Sequence, residues 1–306
     1  MALDRRLGRR PTTGLSAELL AVALSLVLLT TACVGRRSAD YTPPVTPTSP
    51  ATSAARADGL TSFEIRVTDD AYSSADQVSA GRVAITLHND GHGQRNAQFL
   101  RVNDGVSLAQ LAATFQNDQR SAMSLVSFAG GPGTVPPGGT QEVVQDLVEG
   151  QYVMVTLLLG EDGFQYVPPG MFKPFRVVPA STPPTSAPLP GDEVLRLEDF
   201  GFGIPQLSAG SHTLRLDNVG KVPHEILVKR MAPETTLGDA LAFVLTPVGT
   251  PPYADAGGAL VFPGGQSVSM TLELAPGQYV AICYFRDSAT RKTHAELGMI
   301  RDFTVD

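Results

Sequence analysis

The sequence predicts an all-β chain of two tandem β-sandwiches, each interrupted by one short helix. Three observations lead there. Short runs of alternating apolar and polar residues recur between Gly and Pro turns. A set of short peptides occurs twice in the same order, which marks an internal duplication. A Pro-rich stretch then divides the chain beyond its N-terminal leader into two blocks of similar length.

The leader comes first. Arg5, Arg6, Arg9 and Arg10 form a positive region ahead of an uncharged, mostly apolar run from Leu19 to Thr30. That run is short for a bilayer span and suits the apolar segment of a signal peptide, residues 1–32. It ends in Leu29-Thr30-Thr31-Ala32-Cys33, which resembles a bacterial lipoprotein box with Cys33 as the lipidated N-terminus. The resemblance implies export and anchoring to the outer face of the cell membrane. Residues 33–58 are rich in Pro, Thr, Ser and Ala, cannot bury a core and read as a solvated tether.

Without residues 1–32 the chain keeps 19 basic and 28 acidic side chains, a net charge of about −9. No basic stripe appears, which argues against nucleic acid as a partner. With Cys33 acylated, Cys283 is the only remaining thiol, so no intramolecular disulfide can form. A lone thiol in an exported chain then packs inertly, pairs between molecules or binds a metal.

Residues 59–178 and 192–306 are the two copies, separated by the Pro-rich linker 179–191. Val78-Ser79-Ala80-Gly81 matches Leu207-Ser208-Ala209-Gly210, Ala129-Gly130-Gly131 matches Ala256-Gly257-Gly258, and Gly150-Gln151-Tyr152-Val153 matches Gly277-Gln278-Tyr279-Val280. The Gly-Gly pairs read as turns by default. Ser107 with Gln110, and Thr236 with Asp239, are spaced as helix N-caps before apolar runs. In the second copy Val268, Met270, Leu272 and Leu274 alternate with Ser269, Thr271 and Glu273, which predicts one core face and one wet face. Several short strands in 110–120 residues suit a sandwich.

Chemistry concentrates near the C-terminus. His224 opens a predicted strand after a turn, Cys283 ends one, His294 lies on the next loop and Met299 starts the last strand. Two imidazoles, a thiol and a thioether are a soft-metal donor set. A type 1 copper site needs two imidazole nitrogens and a thiolate near one plane, with a weak thioether above it. The blander alternatives are a cysteine packed as a small hydrophobe and an ordinary hydrogen-bonded imidazole beside Glu225.

At these residues the chain resembles the cupredoxins, the blue-copper fold family, over both copies but with specific motifs only in the second. The resemblance implies Greek-key sandwiches and one copper held by His224, Cys283 and His294, with Met299 axial. It also implies electron transfer or copper handling with a redox or copper-exchange protein partner. Two departures stand out. Ten residues separate Cys283 from His294, and Glu225 follows the first His where an Asn commonly braces the ligand loop.

The first copy carries Thr156, Tyr166 and Met171 at the matching places, with Arg95, or Asn96 after a one-residue shift, near the first histidine position. It reads as a metal-free scaffold. His88 and His92 lie close in sequence and raise a second, separate metal site as a lesser alternative. No phosphate loop, nucleophile elbow or zinc-protease motif occurs, and no second histidine cluster of the kind oxidases use. The expectation is therefore a carrier and not an enzyme, with a metal-free adhesion or scaffold lipoprotein as the competing reading.

Overall fold

A computed structural model describes residues 59–159, 165–168, 170–180 and 187–306. The leader, Cys33, the tether, the side chain of Tyr166 and residues 181–186 of the linker lie outside the described residues. Among those described, no helix is long and apolar enough to cross a membrane.

The first copy begins with β1 (Thr61–Val67), β2 (Tyr72–Ser74), β3 (Gln77–Ser79), β4 (Gly81–Asn89) and β5 (Gln98–Val102). Helices α1 (Leu108–Asn117) and α2 (Gln119–Ala122) follow, then β6 (Val126–Phe128), β7 (Thr140–Leu147) and β8 (Gly150–Val155). It closes with β9 (Leu158–Leu159), β10 (Gln165–Tyr166) and β11 (Phe172–Val178). The second copy runs through β12 (Glu193–Glu198), β13 (Gly201–Gly203), β14 (Gly210–Asn218) and β15 (His224–Met231). After α3 (Leu237–Leu245) come β16 (Tyr253–Phe262), β17 (Ser267–Leu274), β18 (Gly277–Ile282) and β19 (Ile300–Val305).

Each copy is a two-layer sandwich. In the first, β2-β1-β4-β7 face β3-β11-β8-β5-β6; in the second, β13-β12-β14-β17 face β16-β15-β18-β19. The architecture is all-β, two sandwiches with few short helices, as the sequence predicts. Both helix caps form as expected. Ser107 accepts from Gln110 N, and Thr236 makes a full capping box with Asp239. The repeated Gly-Gln-Tyr-Val peptide has a structural cause. Tyr152 and Tyr279 are buried and donate their hydroxyls back to the carbonyls of Val148 and Ala275, closing the turns that carry Gly150 and Gly277.

The two copies share one eight-stranded sheet, because β17 pairs antiparallel with β7. At the junction Val143 lies opposite Met270, residues that hold the same place before Gly150 and Gly277. The second layers also touch. Gly130 N donates to Val261 O at 2.8 Å, Leu260 N to Gly131 O at 2.9 Å and Gly133 N to Gly258 O at 3.0 Å. Two repeated Gly-Gly pairs are thus junction residues and not turns. Gly131 has φ +117°, and a Cβ there would collide with the Ala97 carbonyl. Gln98 staples the same seam by accepting from Val261 N and donating to Gly130 O and Val261 O.

The predicted alternation along β17 holds with one correction. Val268, Met270, Leu272 and Leu274 are buried and Glu273 is exposed, but Ser269 is buried too. The end of the Pro-rich segment covers it. Ser269 donates to Pro190 O, Arg82 donates to the carbonyls of Ala187 and Pro188, and Leu189 packs on Ala84 and Val144. Apolar side chains from both copies form one continuous core that includes Cys283 and Met299. Full burial of such residues contributes roughly 2 kcal/mol each.

Candidate metal centre

His224 is the first residue of β15 and is held from below by its turn. Asn218 donates to Val222 O and Phe262 O and accepts from Gly220 N, which folds residues 218–222 back under the strand. Asp199, in the turn between β12 and β13, accepts from Lys221 N at 2.8 Å and lies 3.3 Å from His224 Nε2. Gly220 is required there: a Cβ would stand 2.8 Å from that same Nε2. The Asp199 carboxylate selects the tautomer with a proton on Nε2, so the Nδ1 lone pair of His224 points inward.

Cys283 follows the end of β18. Its N–H donates to Met299 O at 3.1 Å and its carbonyl accepts from Ala295 N at 2.9 Å, so the strand end and the last loop are tied together. The ten intervening residues do not loosen the site. Phe285 O accepts from His294 N at 2.7 Å, and Asp287 caps the excursion by accepting from Thr290 N. Thr293 and Glu296 then exchange hydrogen bonds at the start of the short 3₁₀ turn Ala295–Leu297. The extra length leaves as a closed hairpin, and its two ends return to hydrogen-bonding distance.

These elements bring three donor groups to one buried point. His224 Nδ1 lies 2.9 Å from His294 Nδ1, and Cys283 Sγ lies 3.5 Å from His294 Nδ1. All three ligand atoms fall within 4.8 Å of one another. His224, Cys283, His294 and Met299 are all at most 1% exposed. Among the described residues this is the one group of three or more such side chains that converges. Met299 is fully buried at the head of β19 and donates its N–H to His294 O at 2.8 Å.

The electrostatics favour a cation. Burial, with the neighbouring His224 charge adding, holds the His294 imidazole down at about 4. Burial also lowers His224, opposed by Asp199. Both rings are therefore neutral and able to donate lone pairs at physiological pH. Burial pushes the Cys283 thiol well up, and the charge of Glu225 adds to it. Only a positive ion at the cluster would draw off that proton. His294 is sealed: the rings of Phe200 and Phe285 meet it edge-on at 5.1 and 5.3 Å, and its Nε2 has no hydrogen-bond partner. Phe200 holds that place at φ +66°, a left-handed conformation uncommon for a bulky residue.

The first copy shows the same frame without the donors. Arg95 bridges Val135 as His224 pairs with Phe262, so Arg95 stands at the histidine position and Asn96 at that of Glu225. The Arg95 guanidinium donates to Asp69 Oδ1 at 2.8 Å, Asp69 being the counterpart of Asp199. Thr156 replaces the cysteine and bonds Asn96 O and the Tyr72 hydroxyl. Met171 is fully buried. Asn96 braces the loop with both ends of its amide, donating to Leu157 O and accepting from Leu157 N. Glu225 keeps half of that brace by accepting from Tyr284 N at 2.9 Å, while its other oxygen has no partner. Its carboxyl is pushed up to about 7 by burial.

His88 and His92 do not converge. His88 Nε2 pairs with Glu64 and His92 Nδ1 with Asp69, on separate carboxylates. Sequence reasoning missed Asp199, Phe200 and Phe285. The one legible signal was an aspartate in the first turn of both copies, Asp69 and Asp199.

No protein-family model and no curated protein matches the sequence. Comparison with solved structures returns weak similarities. Auracyanin B is 20% identical, aligned over 39% of this chain and 93% of its own, with a TM-score of 0.27. Auracyanin from Roseiflexus castenholzii is 15% identical over 37% of this chain and 95% of its own, with a TM-score of 0.27. A multicopper oxidase is 16% identical over 84% of this chain and 93% of its own, with a TM-score of 0.25.

Proposed function

We propose that this chain is an exported copper protein that holds one copper ion in its second copy and moves single electrons. His224 Nδ1, Cys283 Sγ and His294 Nδ1 are the strong ligands, and Met299 supplies a weak fourth. One observation carries the reading: two inward-facing imidazole nitrogens and a thiol converge in a fully buried, sealed pocket. Two nitrogens with one soft sulfur suit copper better than hard cations, which prefer oxygen. Bound copper would supply a one-electron couple at that point.

The chain's own residues perform the remaining work. Asp199 fixes the His224 tautomer, and the closed Cys283–His294 hairpin sets the distance between thiol and imidazole. Phe200 and Phe285 exclude water from His294. A rigid, dry ligand set changes little between oxidation states, which lowers the reorganisation that accompanies electron transfer. In the first copy Arg95 and Thr156 stand at the histidine and cysteine positions, and that copy acts as a scaffold. We extend the reading to the cell by the leader: Cys33 carries the lipid, residues 33–58 form the tether, and the partner is a redox or copper-exchange protein at the outer face of the membrane.

The mature protein titrated with Cu(II) should take up one ion and develop an intense thiolate-to-copper absorption band, and Cys283→Ser should abolish it. Absence of stoichiometric copper uptake would defeat the reading in favour of a metal-free scaffold. Cu(I) uptake without the band would assign copper storage or delivery. For the anchor, Cys33→Ala should abolish incorporation of labelled fatty acid in the producing cell; retained label would place the lipid elsewhere.

A further inference from the structure

The excursion between Phe285 and His294 closes on itself at the hydrogen bond from His294 N to Phe285 O, so its length is not what holds the metal donors. Its residues instead wall a cleft between the two copies. Facing them is α2 of the first copy, a helix without a counterpart in the second, where α3 is the one α-helix among the described residues. Two sets of contacts fix α2 in place. Asp118 caps it by accepting from Arg120 N and Ser121 N, and the Gln119 amide donates to Val167 O and accepts from Val167 N.

The cleft encloses about 280 Å³, and Met123, Phe128, Leu157, Val167 and Phe285 form its apolar lining. Phe128 and Phe285, one from each copy, meet edge to face with ring centroids 5.0 Å apart. The Phe285 ring also meets His294, so the cleft lies outside the donor set but against its seal. Among the described lining residues three are arginines and one is acidic, in a chain with 23 basic and 30 acidic side chains. Arg120 and Arg291 are exposed, and Arg286 donates to Arg291 O at 2.8 Å with Glu296 4.0 Å away. The one acid, Asp287, accepts from Thr290 N and Oγ1. Arg291 adds an independent sign. Its φ is +65°, a conformation that glycine holds without strain and a long side chain does not, yet an arginine stands there.

An apolar cleft at a domain boundary with a few cationic groups around it has the form of a small-ligand site. Planar guanidinium groups pair with carboxylates, and the two phenylalanine rings favour an aromatic body. An apolar cavity of about 150 Å³ holds benzene, so this larger one admits one or two fused rings. We propose that the cleft between the copies binds a small aromatic carboxylate, with its ring against Phe128 and Phe285 and its carboxylate on Arg291 and Arg120. Binding makes and breaks no covalent bond and is independent of whether copper occupies the second copy.

Isothermal titration of the purified mature protein with 2-naphthoate tests the site, with 2-naphthamide as the uncharged analogue of the same shape. One naphthoate should bind per chain, and the amide should bind at least about tenfold more weakly, because it cannot form the charge-assisted pair. Arg291→Gln and Arg120→Gln should each weaken naphthoate about tenfold and leave the amide unchanged. Phe128→Leu should weaken acid and amide alike, since it removes the ring contact that both share. Unliganded variants should keep the wild-type Tm, which separates a lost contact from a damaged fold. If Arg291→Gln shifts the Tm, Arg120→Gln decides. No saturation by about 5 mM naphthoate overturns the site. Equal affinity for acid and amide, or naphthoate affinity unchanged in both arginine variants, overturns it equally. Each of those results leaves the copper reading standing.

Discussion

Glu225 gives the sharpest quantitative test, because the first copy solves the same problem with an amide. Its carboxyl is fully buried and lies at about 7, against an ordinary 4.5, with desolvation as the main cause. Between those values the folded protein keeps a proton that the unfolded chain has released. Stability from this group is complete below pH 4.5 and is lost as pH rises through 7. At about 1.4 kcal/mol per pH unit the loss is about 3 kcal/mol. His294 runs the opposite way: held at about 4 against 6.5, it adds stability as pH rises across much of the same window. The two slopes offset in wild type, so the informative quantity is a difference between proteins.

Glu225→Gln removes the ionisation and keeps the acceptor for Tyr284 N. In the copper-free protein it should match wild type at pH 4 and be more stable by about 3 kcal/mol at pH 8. That corresponds to about 6–12 °C in Tm for a chain of this size. Differential scanning calorimetry of both proteins from pH 4 to 8 measures it. A stability difference that does not change with pH would refute the assignment of a buried, proton-holding carboxyl.

Three further outcomes follow from the geometry. Gly131→Ala should destabilise by about 3 kcal/mol in urea, since both φ +117° and the Ala97 carbonyl oppose a Cβ. Gly138→Ala, at φ +72° with open space, should cost only about 1 kcal/mol, and equal costs would mean that the junction is not tight. Arg95→Met should cost about 1–2 kcal/mol by removing the Arg95–Asp69 ion pair, yet leave copper uptake at one ion per chain; any loss of copper would place a ligand in the first copy.

The sequence by itself determined the things that depend on local pattern. Period-two runs identified strands such as β17, Ser107 and Thr236 identified the starts of α1 and α3 but not that of α2, and repeated peptides revealed the duplication. Residue type and order also singled out His224, Cys283, His294 and Met299, because donor softness is a property of the side chains themselves. Gly138-Gly139 and Gly264-Gly265 do turn the chain, but Gly130-Gly131 and Gly257-Gly258 misled: a glycine needed for close approach of two sheets looks in sequence like one needed for a turn. Ser269 misled for a similar reason, since its cover comes from residues 187–190, far along the chain.

Only the tertiary structure decided whether the donors meet. Their convergence depends on a turn held by Asp199 and Asn218 and on a loop whose ten residues close on themselves, and neither contact has a local signature. The same holds for the sealing of His294, for the Arg95–Asp69 pair of the first copy and for the hydroxyl contact between Tyr253 and Tyr284, the residue after Cys283. Each joins residues from separate strands whose separation in sequence carries no trace of their distance in space, so packing and register set them where composition could not.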